Sequence, residues 1–161
     1  MIPKKIEPYF KTTFQKIDPA NNLIEGILTC CNSHDFEIYV LGEIKYSIFS
    51  KASLFPKDNT IVLEARCKKC GTLISVFNSN CDGYERIAEK QNTHTKTKVV
   101  NCKKCLHGNF SIKIRYEYPE LQELEALEIA TKDNAFTWIW ISLECQKCKT
   151  KYKNFINFET G

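Results

Sequence analysis

Three runs of the chain alternate apolar and polar residues, and each run predicts a β-strand with one buried face. They are residues 36–40, 110–116 and 136–144. In the last run Ile139, Ile141 and Leu143 fall on one face, whereas Trp138 and Trp140 fall on the other. A period of two residues, with many β-branched and aromatic side chains, is typical of a half-buried strand. The pattern predicts a mostly β fold.

Two other segments have the spacing of a helix. Residues 119–134 begin with a proline that suits a first helical turn, followed by glutamates that suit the positive N-terminal end of a helix. Their apolar stripe consists of Leu121, Leu124 and Leu127. Near the N-terminus, Phe10, Phe14 and Ile17 are spaced i, i+4 and i+7 and predict a second short helix that ends before Asp18-Pro19.

The cysteines form closely spaced pairs. Of nine cysteines, six lie in three C-x-x-C pairs, and a seventh begins a C-x-x-H pair. The pairs are Cys67 and Cys70, Cys102 and Cys105, Cys145 and Cys148, and Cys31 and His34. A tight turn with this spacing puts two ligands on one side of the chain, so that two turns complete a tetrahedral zinc site.

The sequence around these pairs repeats along the chain. Residues 63–70 overlay residues 141–148, and a phenylalanine follows the last cysteine by seven residues in both segments, as Phe77 and Phe155. This self-similarity indicates a tandem duplication. We divide the chain into an N-terminal arm (1–25), a first zinc-ribbon-like domain (26–83), a linker (84–98) and a second zinc-ribbon-like domain (99–161).

Chain geometry predicts how the half-sites pair. Cys102 and Cys105 combine with Cys145 and Cys148 in a site of four thiolates, and Cys31 and His34 combine with Cys67 and Cys70 in a mixed site. Two structural zinc ions follow, and the mixed site favours zinc over iron. If His34 is only a surface residue, Cys30 or Cys81 takes its place; otherwise both are small buried apolar residues. His94 and His107 have no partner half-site.

This pattern of half-sites resembles the tandem zinc-ribbon and zinc-knuckle proteins. In those proteins two knuckles at the tips of β-hairpins clamp one zinc ion in a small β domain. The resemblance covers both copies and rests on ligand spacing. It implies two tandem β domains, each stabilised by zinc.

The two tryptophans indicate a binding surface. Neighbouring strands can place Lys113, Arg115, Lys151 and Lys153 on the face that carries Trp138 and Trp140. A mixture of aromatic and basic side chains is typical of surfaces on which single-stranded nucleic acid stacks. The alternative is that the predicted helix or the first copy covers both tryptophans.

Composition and charge narrow the function classes. The chain has 43% hydrophobic and 26% charged residues, and its net charge of +4 permits a polyanionic partner without requiring one. Residues 119–134 carry five acids and one lysine. The sequence contains neither a membrane-spanning run nor a secretory signal, and we expect a cytoplasmic protein in which close cysteine pairs bind metal.

Motifs for nucleotide hydrolysis, serine hydrolysis and zinc proteolysis are absent, so neither an enzyme nor a small-molecule substrate is predicted. We expect a non-enzymatic binding protein, with nucleic acid as the leading partner. The alternative is a protein-binding adaptor or inhibitor, such as an immunity or assembly factor, that uses the acidic helix or the tryptophan face.

Overall fold

The computed structural model of the chain describes residues 1–48, 51–84, 96–127 and 132–160. The strands are Phe10–Ile17 (β1), Asn22–Leu28 (β2), Phe36–Leu41 (β3), Glu43–Tyr46 (β4), Ala52–Phe55 (β5), Val62–Cys67 (β6), Leu73–Asn78 (β7), Lys98–Val99 (β8), Asn109–Tyr118 (β9), Trp138–Cys145 (β10) and Lys151–Glu159 (β11). A single turn of 3-10 helix spans Glu7–Tyr9, and helix α1 spans Leu121–Ala126. With 52% of the described residues in strands or isolated β-bridges, the prediction of a mostly β fold is confirmed.

Strand β9 connects the two halves of the chain. One edge of β9 pairs with β3 at Phe110 and with β2 from Lys113 onward, and its other edge pairs with β10. Nine strands thereby join one curled sheet, and β4 and β5 form a separate two-stranded sheet. All of these pairs are antiparallel.

The alternating pattern decides which face of the sheet is buried. Along β10, Ile139, Ile141 and Leu143 are buried, and the residues between them are half-buried. Strand β9 buries every second side chain in the same way. The buried apolar residues of both halves belong to one hydrophobic core, which removes enough apolar surface from water to fix the register of the strands.

The predicted helix near the N-terminus is wrong, because the segment is strand β1. It pairs with β2 from Phe10 opposite Leu28 to Ile17 opposite Asn22. Phe14 and Ile17, which would have formed the apolar stripe of a helix, are about half exposed at 52% and 49%. Backbone hydrogen bonds to β2 therefore hold this segment in place, and Phe14 and Ile17 do not pack on the core as a helical stripe would.

The helix predicted over residues 119–134 is present in part as α1, which is six residues long and buries Leu124. It ends before Leu127, a residue of the predicted apolar stripe, because the backbone of Leu127 is extended. Residues 128–131, including Glu128, lie outside the described residues, as do 85–95, which contain most of the predicted linker and His94.

Two tandem zinc-ribbon domains are not confirmed, because β9 shares its hydrogen bonds with strands of both halves. The boundary drawn at residue 25 lies inside β2. Among the described residues, no helix is long and apolar enough to cross a lipid bilayer.

Candidate metal centres and tryptophan groove

Cys102, Cys105, Cys145 and Cys148 come together as predicted, and we call them cluster 2. Their sulfur atoms all lie within 4.8 Å of one another. Cys102 Sγ is 3.5 Å from Cys148 Sγ, and Cys105 Sγ is 3.5 Å from Cys145 Sγ. Four sulfurs around a zinc ion at the usual bond length are about 3.8 Å apart, whereas a disulfide needs about 2.05 Å. The spacing therefore fits four ligands of one ion.

Two tight turns build cluster 2. The turn after β10 is closed by the Cys145 N–H, which donates to the Thr150 carbonyl at 2.9 Å, and by the Lys149 N–H, which donates to the Cys145 carbonyl at 3.0 Å. Lys149 adopts a positive φ of 61° there. The turn before β9 is closed by the Cys102 N–H, which donates to the His107 carbonyl at 2.8 Å. Each turn directs two thiols to the same side of the chain.

The first cluster contains three cysteines, Cys30, Cys31 and Cys70, and we call it cluster 1. Their sulfur atoms also lie within 4.8 Å of one another. Cys30 Sγ is 3.5 Å from Cys70 Sγ and 3.9 Å from Cys31 Sγ. Cys30 is buried, and the other two thiols are exposed.

Adjacent cysteines ordinarily point to opposite sides of an extended chain, so cluster 1 needs an unusual turn. Cys31 and Asn32 both have positive φ, at 54° and 56°. Cys30 and Ser33 exchange both backbone hydrogen bonds, at 2.9 and 2.8 Å, across this two-residue turn. These features are those of a type I′ turn. The turn brings both thiols toward Cys70.

The structure does not bring His34 to cluster 1. Its Nδ1 lies 3.3 Å from the Leu28 carbonyl oxygen instead. Cys67, the other predicted ligand, is buried, and its Sγ contacts the Cys30 carbonyl oxygen at 3.6 Å. The leftover thiol Cys81 lies elsewhere, 3.8 Å from an Asp82 carboxylate oxygen. The alternative in which Cys30 takes the place of His34 therefore matches this arrangement.

In each cluster, a threonine hydroxyl forms a hydrogen bond with one cysteine sulfur. Thr72 Oγ1 is 3.1 Å from Cys70 Sγ, and Thr150 Oγ1 is 3.1 Å from Cys148 Sγ. These hydrogen bonds stabilise the thiolates and lower the pKa of Cys70 and of Cys148 to about 6. Burial, in contrast, raises the pKa of Cys30 to about 12. A cation in the cluster would offset the cost of ionising such a buried thiol.

The two tryptophans stack on each other on the outer face of the sheet. Their ring centroids are 5.5 Å apart, and the ring planes differ by 10°. Trp138 Nε1–H donates to Asn157 Oδ1 at 2.6 Å. The Arg115 guanidinium lies over the Trp140 ring, 4.7 Å from its centroid. Both tryptophans are half-buried.

A groove of about 420 Å³ lies beside this stack on the outer face of β2, β9, β10 and β11. Five of the six residues predicted for the binding surface line it, namely Lys113, Arg115, Trp140, Lys151 and Lys153. The sixth, Trp138, stacks on Trp140. The alternation of the strands and the antiparallel register, in which Arg115 faces Trp140, explain why these residues meet.

The charge of the groove is mixed. Lys113 Nζ pairs with a Glu25 carboxylate oxygen at 2.8 Å, and Lys151 Nζ pairs with a Glu144 carboxylate oxygen at 3.6 Å. Both acids also line the groove, against four basic side chains, so its lining has a formal charge of 4 − 2 = +2. Lys153 has no ion-pair partner among the described residues.

Comparisons with protein-family models, with curated proteins and with solved structures find no match for this chain.

Sequence reasoning missed several residues around the clusters. The threonine two residues after Cys70 and after Cys148 is visible in the sequence as Thr72 and Thr150. Tyr152, whose hydroxyl donates to Cys102 Sγ at 3.6 Å, follows Cys145 by seven residues and gave no sequence signal. The sequence shows Cys30 and Cys31 as neighbours. The type I′ turn, which the sequence did not predict, directs both of their thiols toward Cys70.

Proposed function

We propose that this chain is a non-enzymatic, zinc-stabilised protein that binds single-stranded nucleic acid in the groove beside Trp140. The observation that carries the proposal is the convergence of Lys113, Arg115, Lys153 and Trp140 on one concave surface. Single-stranded nucleic acid is bound by a positively charged groove that follows its backbone and by aromatic rings against its bases. The formal charge of +2 supports phosphate contacts of modest number.

The metal we propose for both clusters is zinc. Thiolate ligands in a tetrahedral arrangement suit zinc and also iron. The imidazole of His34 would have favoured zinc over iron, but His34 lies outside cluster 1 and contacts the Leu28 carbonyl oxygen instead. Elemental analysis of the purified protein decides the point, and we expect two equivalents of zinc per chain and a colourless protein. Iron in their place would contradict the proposal.

The ligand count of cluster 2 supports a structural and not a catalytic role for its ion. Its four thiols would fill all four positions of a tetrahedral ion and leave none for a reactive water molecule. The ion would then hold the turn that precedes β9 and the turn between β10 and β11, and these three strands carry most of the residues that line the groove.

Oligonucleotide titration tests the proposal, with tryptophan fluorescence and anisotropy as readouts. We expect quenching on binding, and Trp140→Ala should weaken the affinity by about 1–3 kcal/mol for one lost base stack. Lys153→Gln should flatten the salt dependence. The slope of log K against log salt should be no steeper than about −2.8, because each of at most four phosphate contacts contributes about 0.7.

Lys57→Gln is the matched control, since Lys57 is also exposed but does not line the groove. Thermal melts of all variants check that they fold. Equal affinity of the Trp140→Ala, Lys153→Gln and Lys57→Gln proteins for oligonucleotide would exclude the groove as the binding surface.

A protein-binding adaptor is the second candidate, and the surroundings of Trp138 favour it. Trp138 lies directly opposite Glu117 on β9 and Glu159 on β11. Carboxylates on both sides of an indole would repel phosphate and attract a basic peptide. Helix α1 and the residue before it add Glu120, Glu123 and Glu125, and the predicted Glu128 lies outside the described residues. Loss of a protein partner in Trp138→Ala, without any oligonucleotide binding by the wild-type chain, would favour this function.

A further inference from the structure

We propose that Cys30, Cys31, Cys67 and Cys70 form a four-thiolate metal site that exchanges its ion with external chelating or thiolate ligands faster than cluster 2 does. The inference rests on the metal binding proposed above. Cys67 becomes the fourth ligand of cluster 1, and the two clusters differ in the rate at which they exchange the ion.

The knuckle of Cys67 has the same hydrogen bonds as that of Cys145. The Cys67 N–H donates to the Thr72 carbonyl at 2.9 Å, and the Gly71 N–H donates to the Cys67 carbonyl at 2.8 Å. These bonds match those that Cys145 makes with Thr150 and Lys149 in cluster 2. The residue at position 71 also has positive φ, at 77°. Cys67 therefore occupies the place in its turn that a ligand occupies in cluster 2.

The Cys67 thiol is already close to cluster 1. Its sulfur lies 3.6 Å from the carbonyl oxygen of Cys30, whose own sulfur is 3.5 Å from Cys70 Sγ. A cysteine side chain has a single rotatable bond, with three staggered positions. Rotation about that bond moves the Cys67 sulfur without moving the backbone. A bound cation would stabilise the rotamer that directs this sulfur toward the other three thiols.

Solvent reaches the two clusters differently. Two cluster 1 thiols, Cys31 and Cys70, are exposed, whereas the cluster 2 thiols are buried or half-buried. Tyr152 also shields cluster 2, because its hydroxyl donates to Cys102 Sγ and accepts the Lys103 N–H at 2.9 Å. At the matching position, seven residues after Cys67, stands Ile74, which has no hydroxyl.

The difference in access predicts a difference in rate. A chelator removes an ion from thiolates by binding it while the protein ligands leave, and the released thiolates take up protons from water. This substitution needs an open approach to the ion, which Cys31 and Cys70 leave at cluster 1. Outer hydrogen bonds such as that of Tyr152 typically change metal binding by about 10–100-fold.

Cadmium-113 NMR of the cadmium-loaded full chain tests the ligand set. We expect two resonances, both at shifts typical of four thiolates. Cys67→Ser and Cys30→Ser should each move or remove one of them, whereas His34→Ala and Cys81→Ser should leave both unchanged. A resonance typical of three thiolates, or one that depends on His34, would overturn the proposed ligand set.

Zinc release to excess 4-(2-pyridylazo)resorcinol tests the rates. We expect two phases of one equivalent each, with rates that differ about tenfold or more. The fast phase should persist in Cys145→Ser and disappear in Cys30→Ser, and Tyr152→Phe should accelerate only the slow phase. Release of both ions in one phase, or a fast phase from cluster 2, would overturn the proposal. These readouts do not involve nucleic acid, so failure of the groove would leave them unchanged, whereas a metal-free protein would refute the proposed zinc binding itself.

Discussion

At the scale of single residues, we expect the hydroxyl of Thr150 to affect the metal affinity of cluster 2. It lies 3.1 Å from Cys148 Sγ and lowers the pKa of that thiol to about 6. In Thr150→Val the pKa of Cys148 should rise, so that protons compete better with the metal ion. We expect about a tenfold loss of affinity at cluster 2, and the pH at which half of the metal is displaced should rise. A pH titration of the cobalt-substituted protein, followed by its visible absorption, measures both effects.

Thr29→Val is a control for the Thr150→Val substitution, since Thr29 is half-buried like Thr150 but does not contact a cluster thiol through any described hydrogen bond. The interpretation fails if the two variants release cobalt at the same pH as the wild type.

The sequence predicted that cysteines would cluster more easily than it predicted which cysteines would belong to each cluster. The structure brings the four cysteines of cluster 2 together as the sequence predicted, because two C-x-x-C turns at suitable distance admit a simple pairing. At cluster 1 the same spacing rule selected Cys31 and His34. The positive φ of Cys31, 54°, forms a turn that places the thiol of its neighbour Cys30 in the cluster. The spacing of cysteines in the sequence does not specify backbone dihedral angles.

At the scale of elements, the pairing of β1 with β2 depends on a glycine. A Cβ atom on Gly26 would lie 2.4 Å from the Phe10 ring and 2.6 Å from the Lys11 carbonyl oxygen. The ring can turn away, but the backbone oxygen belongs to the paired strand. We expect Gly26→Ala to lower the free energy of unfolding by about 1–3 kcal/mol, measured by urea denaturation.

Gly108→Ala is the matched control for Gly26→Ala. Its Cβ would meet only the Asn101 side-chain oxygen, at 3.2 Å, and that side chain can move. Equal loss of stability in the two variants would mean that close packing of β1 on β2 does not explain the cost.

Strand β1 also shows why local periodicity failed near the N-terminus. The spacing of Phe10, Phe14 and Ile17 suits one face of a helix, yet the segment pairs with residues 22–28 through the backbone. In β10 and β9 the local pattern and the tertiary pairing agree, and there the strands were predicted correctly. Strand β1 has no alternating pattern because every residue after Phe10 is exposed, so neither of its faces requires apolar side chains.

For the whole molecule, we expect the pairing of β9 to make the two halves unfold together. It pairs with β2 and β3 of the first half and with β10 of the second, and the buried residues of both halves share one core. The sequence repeat predicted two domains because each copy contains its own half-sites. The pairing of β2 with β9 joins residues about ninety positions apart, and neither copy alone contains that information.

A cluster 2 variant tests this coupling. Cys145→Ser should lose one zinc ion and keep the other at 25 °C, since Cys30, Cys31 and Cys70 are untouched. On heating, however, the absorption of cobalt at cluster 1 and the fluorescence of Trp138 and Trp140 should change in one transition, at a lower temperature than in the wild type. We expect a single transition because β9 pairs with both β2 and β10 and the buried residues of both halves form one core. Strand separation in two steps, with the tryptophan signal melting before the cobalt signal, would instead indicate that each half is stable without the other.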